Sequence, residues 1–271
     1  MNMGNYLDKL NKPNAAPGDY TGENGLLYCG KCHTPKQTRG DGMLAGKLLS
    51  ITCKCQREAL QADMDRERRA KADELRKRCL PGAAMSRHTF DVADDAKHIQ
   101  LARCYVERWD DMRRKNVGLI FWGNTGTGKS YTAHCIANAL IDRLVPVRVF
   151  SVADIIFSST DREQRDMVQE KVKSIPLLVL DDLGAERDTP FAREQLCAII
   201  DQRSESGLPL VVTTNYSVRE MESCTDPAQQ RIFDRLRAAC VPIAVTGESR
   251  RREIGARKIS EARAILEGAD A

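Results

Sequence analysis

The stretch VGLIFWGNTGTGKSYTAHCIANAL, residues 117 to 140, decides how the rest of the chain is read. Val117 to Trp122 is an apolar run of strand length, a glycine-rich turn follows, and Tyr131 to Leu140 carries helical spacing at Ile136, Ala139 and Leu140. Within the turn, Gly123, Gly126, Gly128, Lys129 and Ser130 fill the pattern G-x-x-x-x-G-K-[ST]. Glycines permit positive φ and close backbone approach, so successive N–H groups point into one concavity at a helix N-terminus, where the helix dipole also favours an anion. The anion that fits is a nucleotide phosphate. Gly123, Asn124, Thr125, Gly126, Thr127, Gly128, Lys129, Ser130 and Tyr131 are therefore expected to bind ATP or ADP, with Lys129 reaching the β- and γ-phosphates and Ser130 holding Mg²⁺.

Further strands are expected at Val147 to Ser151, Leu177 to Asp181, Leu210 to Thr214 and Val241 to Val245. Helical patterns lie between them, the clearest being FAREQLCAIIDQRSES, with Phe191, Leu196, Ile199 and Ile200 on one face. Strands alternating with helices of this length imply an α/β fold, a parallel sheet covered on both sides, with the ligand at the strands' carboxyl ends.

In IPLLVLDDLGAE the apolar run ends in two adjacent carboxylates, Asp181 and Asp182, expected beyond the strand's carboxyl edge. Side by side they repel each other unless a cation is present. Asp181 is assigned to Mg²⁺, and Asp182 or Glu186 to orienting an attacking water. The trio Thr213, Thr214 and Asn215 ends the next strand, so its amide is expected beside the acidic pair. Towards the C-terminus Arg231 and Arg235 share a helix face, and Arg251 lies in the basic cluster after the last strand. An arginine from a neighbouring subunit stabilises charge on a transferring phosphoryl group. A surface helix with weak ion pairs is the plainer alternative.

The N-terminal part has a different character. Cys29 and Cys32 form C-x-x-C, and Cys53 and Cys55 form C-x-C. Two such pairs bridged by a loop match a closed tetrahedral Zn²⁺ site, with His33 as a possible replacement for one sulfur, and the metal stands in for a missing core. From Gln56 to Arg78 the sequence is charged almost all round, as in a solvated connecting helix, and LPGAA breaks it. The expected organisation is a zinc-binding module at 1–58, a charged helical linker at 59–84, and a nucleotide-binding domain at 85–271.

With 271 residues the chain has room for one good core and an appendage. It lacks an apolar run of about 18 residues and a signal-peptide pattern, so no membrane association and a cytoplasmic location are expected. In a reducing compartment the ten cysteines are expected as metal ligands or buried thiols rather than disulfides. A net charge of +4 is weak evidence for nucleic acid. The excess gathers early, with 15 Lys/Arg against 10 Asp/Glu in the first 80 residues.

From about Ala84 to Arg252, the elements GNTGTGKS, LLVLDDLG, TTN and RIFDRLR, in this order, resemble the DnaC/IstB-like AAA+ ATPases. The resemblance implies a five-stranded sheet, Walker A at Gly123 to Ser130 and Walker B at Asp181 and Asp182. It also implies a first sensor at Asn215, an arginine finger at Arg235 with Arg231 as the neighbouring candidate, and a second sensor at Arg251. Self-association with ATP at subunit boundaries follows from it. Asp182 replaces the glutamate usual in AAA+ proteins, which implies slow, regulatory hydrolysis. The segment after the last strand is too short for the usual helical lid. A cysteine module, a charged linker and such an ATPase together resemble bacterial and phage loaders of the hexameric replicative DNA helicase. The resemblance then gives the module the helicase as partner and the ATPase part single-stranded DNA, with Arg219, Arg231 and Arg237 as possible backbone contacts. An IstB-like helper of a DNA transposase and a binding adaptor without turnover are the competing readings.

Overall fold

The computed structural model describes residues 15–80, 82–185 and 189–266. The chain forms two compact units, residues 1–70 and 71–271.

In the first unit, strand β1 (Tyr20–Thr21) pairs antiparallel with β2 (Leu27–Tyr28), and β3 (Gln37–Arg39) with β4 (Leu48–Ser50). Its buried side chains among the described residues are Cys29, Lys36, Gln37 and Cys53, which is no hydrophobic core. Helix α1 (Lys54–Cys79) begins here and ends in the second unit. Leu60 and Met64 are exposed, as a helix charged all round requires. Its last turns belong to the large unit: Ala72 and Cys79 are buried in that unit's core, and Arg76 donates to Asn138 Oδ1 at 3.0 Å and pairs with Asp142.

In the large unit, helices α2 (Lys97–Glu107) and α3 (Trp109–Arg114) precede a five-stranded parallel sheet. Its strands are β5 (Gly118–Trp122), β6 (Val147–Ser151), β7 (Leu177–Leu183), β8 (Leu210–Thr214) and β9 (Cys240–Ala244), in the spatial order β6-β7-β8-β5-β9. The connections carry α4 (Lys129–Asp142), α5 (Val152–Ser158), α6 (Arg162–Ser174), α7 (Pro190–Ser206), α8 (Val218–Glu222) and α9 (Pro227–Ala239), and α10 (Arg250–Leu266) follows β9. Side-chain alternation divides the core into two layers. Leu119 and Phe121 pack with Ile136 and Leu140, while Ile120, one residue out of step, packs with Leu196, Ile199 and Phe233 on the other face. Among the described residues no helix is long and apolar enough to cross a membrane.

Local sequence explains the helix ends. Thr189 caps α7 by accepting from Ala192 N–H, Pro190 occupies its first turn, and Gly207 closes it at φ 64°. Asp226 and Pro227 start α9 in the same way. Two expectations need correcting. Phe191 is exposed rather than on the buried face of α7: in the first turn it is the next residue, Ala192, that is buried, with Leu196, Ile199 and Ile200 continuing that face. Asp182 lies inside β7 rather than beyond it: the pairing of β7 with β8 slips between Leu180 and Leu183, so the strand, expected at Leu177 to Asp181, continues to Leu183.

The candidate nucleotide and metal sites

The ends of β5, β7 and β8 bring the phosphate loop, the acidic pair and the polar trio to one edge. Trp122 and Leu183 both stand opposite Thr214, so the residues that follow leave the sheet together. Two glycines shape the loop. Gly123 has φ 143°, and a Cβ there would lie 2.4 Å from the carbonyl oxygen of Val245; Gly128 precedes α4 at φ 107°. Thr127 Oγ1 donates to Asn124 O at 2.9 Å, and Arg250 N–H donates to Gly126 O at 3.0 Å, tying the loop to the start of α10. Asn124 and Thr125 are exposed at its tip. Tyr131 turns aside and donates to Thr89 O at 3.0 Å.

Lys129 is buried, and its Nζ donates to Gly123 O (2.9 Å), Asn124 O (2.8 Å) and Asn215 Oδ1 (2.8 Å). Burial pulls its ammonium below the ordinary lysine range, opposed by the nearby Asp182 and Asp181. Asp181 is buried too. Thr213 Oγ1 donates to Asp181 Oδ1 at 2.6 Å and accepts from Asp182 N–H at 2.9 Å, so one hydroxyl fixes both acidic residues. Burial acts to raise the Asp181 carboxyl, but His134, Thr213 and Ser130 outweigh it and hold the group below the usual carboxylate range. Asp182 is pushed up by burial and by Asp181. Its backbone is left-handed, φ 60°, a conformation that aspartate tolerates better than most residues. Arg251 is exposed at the start of α10, near enough for its charge to act on Lys129 and Asp182. Glu186, the other candidate for the attacking water, lies outside the described residues.

The donor set suits Mg²⁺. Ser130 and Asp181 offer a hydroxyl and an ionised carboxylate close enough to interact, both hard oxygen ligands. A cavity of about 440 Å³ opens beside Thr127, lined among others by Asp94, Gly247, Arg250 and Ile254.

Arg231 and Arg235 are not brought to this loop. Both pair with Asp201 of α7, Arg231 at 2.9 Å. Arg237 pairs with Glu222 at 3.0 Å, and Arg219 is exposed.

In the small unit, the sulfurs of Cys29, Cys32, Cys53 and Cys55 all lie within 4.8 Å of one another. Cys29 to Cys55 is 3.6 Å and Cys53 to Cys55 is 3.4 Å. Four sulfurs about 2.3 Å from a tetrahedral zinc are separated by about 3.8 Å, so the group fits that metal. The thiols respond unequally to crowding. The Thr34 hydroxyl and the Cys55 amide hold Cys32 down to about 5, while Cys55, bonded to Cys53, Cys32 and Cys29, is pushed up to about 12. Such crowding disfavours four thiolates without a cation. His33 is outside the group: its ring faces Tyr20, Nδ1 lying 3.3 Å from the hydroxyl. Of the other cysteines, Cys79, Cys135 and Cys240 are buried, Cys197 and Cys224 are half-buried, and Cys104 is exposed.

Two residues of the site escaped the sequence reading. His134, buried behind Asp181, and His88, stacked on it, had no motif to mark them, although His134 follows Ser130 by one helical turn. The role of Thr213 was hidden by its ordinary place at a strand end.

Known proteins agree with this arrangement. The model of the family described as IstB-like ATP binding protein matches residues 54–257, more than half of the chain. The replicative helicase loader DnaC of Escherichia coli (strain K12) is 32% identical over 141 residues, covering 50% of this chain and 55% of its own. The replicative helicase loader DnaI of Bacillus subtilis (strain 168) is 28% identical over 150 residues, covering 51% of this chain and 48% of its own. The chain thus spans about half the length of the curated relatives it matches. A crystal structure of DnaI superposes with a TM-score of 0.54 at 25% identity, covering 64% of this chain and 95% of that one. With its parallel sheet, phosphate loop and acidic strand end in the order of a P-loop AAA+ domain, the chain belongs to the family of IstB-like ATP binding proteins.

Proposed function

We propose that this protein is an ATP-dependent loader of the replicative DNA helicase onto single-stranded DNA, working in the cytoplasm as a nucleotide-controlled assembly switch. The observation that carries the reading is the convergence of Lys129, Asn215, Asp181 and Asp182 at one sheet edge, in a chain whose relatives are named helicase loaders.

Lys129 exchanges its bonds to Gly123 O and Asn124 O for phosphate oxygens, and the loop N–H groups and the α4 N-terminus hold the rest of the triphosphate. The nucleoside end takes the cavity beside Thr127. Ser130 and Asp181 hold Mg²⁺, which when bound neutralises phosphate charge. Asp182 orients the attacking water, Asn215 senses the γ-phosphate, and Arg251 adds charge from the start of α10. Hydrolysis is slow, since Asp182 reaches less far than glutamate. Arg235, with Arg231 beside it, serves the site of a neighbouring subunit, so ATP drives self-association. The small unit holds Zn²⁺ through Cys29, Cys32, Cys53 and Cys55 and grips the hexameric helicase, and single-stranded DNA lies on the ATPase part. Metal analysis of the full-length protein should find about one Zn²⁺ per chain, lost when Cys29 and Cys53 are both changed to Ser. Metal-free yet folded wild-type protein removes that site.

Affinity capture with the full-length protein and ATP tests the function. Recovery of a replicative helicase, weakened by Lys129→Ala, supports it. Recovery of a transposase instead favours the transposition helper to which the family description IstB-like points. If Lys129→Ala, Asp182→Asn and Arg235→Ala all load helicase normally, the protein is an adaptor without turnover.

A further inference from the structure

His134 follows Ser130 by four residues on α4, so both project from one side of that helix. It is almost completely buried, and its Nε2 lies 3.5 Å from Asp181 Oδ2, the carboxylate oxygen that Thr213 does not hold. Nε2 makes no hydrogen bond of normal geometry to any other group. The other ring nitrogen is committed: His134 Nδ1 is 3.0 Å from His88 Nδ1, the two rings stacked with centroids 5.2 Å apart and planes within 12°.

Two neutral imidazoles meeting Nδ1 to Nδ1 share one proton between those atoms, so one donates and the other accepts. If His134 donates, its Nε2 lone pair is left facing the Asp181 carboxylate in a buried place, which is repulsive. If His88 donates, His134 carries its own proton on Nε2 and aims it at Asp181 Oδ2. The carboxylate selects the second arrangement. His88 is itself anchored by the same helix face. Its carbonyl accepts from Asn138 Nδ2 at 3.0 Å, its ring leans on Tyr131, and Tyr131 is bonded to the next residue, Thr89. Tyr131, His134 and Asn138, spaced three and four apart, thus clamp the segment around His88 onto α4.

We propose that His134 is a positioning residue for the Asp181 carboxylate, acting in the Nε2–H tautomer with its Nδ1 satisfied by His88. The proposal rests on the reading of Asp181 as a magnesium ligand. Thr213 fixes one carboxylate oxygen and His134 the other, so the rotation of the group is set from two sides, as outer-sphere partners do for metal-binding carboxylates. The 3.5 Å separation is long for a hydrogen bond and tightens when the site closes on its ligands.

Mn²⁺ binding to the full-length protein with ADP, followed by electron paramagnetic resonance, tests this without relying on turnover. Asp181→Ala comes first. If it binds Mn²⁺ as tightly as wild type, the metal reading is wrong and the proposal goes with it. If it does not, His134→Leu is expected to weaken Mn²⁺ binding about 10- to 100-fold, the usual loss for an outer-sphere partner. His134→Gln, which restores an N–H donor at the same reach, should recover most of the loss, and metal-free ADP binding should stay unchanged. Wild-type Mn²⁺ affinity in folded His134→Leu, or equal losses in the Leu and Gln variants, overturns the proposal. Should His134→Leu fail to fold, His134→Met decides: it fills a similar volume without an N–H donor and must weaken Mn²⁺ binding about 10-fold, whereas unchanged binding refutes the assignment.

Discussion

Lys129 Nζ donates to Asn215 Oδ1 at 2.8 Å, so a side chain from the phosphate loop and one from the end of β8 hold each other across neighbouring strands. A triphosphate competes for the same ammonium. The γ-phosphate-sensing role proposed for Asn215 rests on this competition. Asn215→Ala should leave ADP affinity within a few-fold of wild type and lower phosphate release by about 10²-fold, as for loss of one preorganised polar contact. Lys129→Ala should lose nucleotide binding itself. Fluorescent-nucleotide titration beside a phosphate-release assay separates the two, and an Asn215→Ala protein with normal turnover rules out the sensing role.

The arginines assigned to a neighbour's site are held at home by Asp201. These pairs are partly exposed and so individually weak, and under the proposed role a neighbour's phosphate would displace the carboxylate. Arg235→Ala should bind ATP normally yet lose about 10³-fold in turnover. Mixing it with Lys129→Ala, which keeps its arginine but binds no nucleotide, should restore hydrolysis at the mixed boundary. If the mixture is no more active than the two variants assayed apart, Arg235 does not act between subunits.

Much of this architecture is legible in the sequence because central parallel strands are buried on both faces and read as plain apolar runs. All five strands lie within one or two residues of their expected positions, and the glycine loop declares itself through conformations few other residues adopt. The limits are equally physical. Nothing in LLVLDDL distinguishes a strand that ends at Asp181 from one that slips register and runs on to Leu183, because that choice is made by pairing with β8. The contact of His88 with His134 joins residues 46 apart without a shared motif. The partnership of Asp201 with Arg235 likewise depends on how α7 packs against α9, not on spacing within either helix.

Arg203 shows what such packing can demand. It is almost wholly buried, and its guanidinium donates to the carbonyls of Val172, Ile175, Pro176 and Pro209. Val172 and Ile175 lie at the C-terminal end of α6, where carbonyls lack helical partners and the dipole favours a cation. Burial lowers the Arg203 guanidinium to about 10, still charged at neutral pH. Arg203→Leu takes the donor from the carbonyls of Val172, Ile175 and Pro176 and leaves Pro209 O only a long bond from Leu178 N–H at 3.4 Å, and should cost about 3–5 kcal/mol. Arg203→Lys, which lacks the planar fork, should recover only part. Urea denaturation followed on the large unit measures this, and a loss below about 1 kcal/mol would mean that water replaces the guanidinium.

In the small unit Asp19 plays the corresponding part. Its Oδ2 accepts from Lys36 Nζ and from Ala16 N–H, and its Oδ1 accepts from Gly30 N–H at 3.0 Å. The bond from Lys36, followed by the two amides, holds the Asp19 carboxyl at about 2, against 3.8 ordinarily. Because the folded-state value is the lower one, the unfolded chain takes up the proton first as pH falls. The stabilisation from Asp19 is thus fully present above about pH 4 and is lost between there and about pH 2. Asp19→Asn should make the first unit easier to cleave by protease at pH 7, where the variant keeps the shape but loses the charge that holds Lys36. The difference between the two proteins should shrink as pH is lowered through 4 towards 2, measured with an acid-stable protease. An undiminished difference at about pH 2 would show that the asparagine side chain fails for want of fit rather than charge.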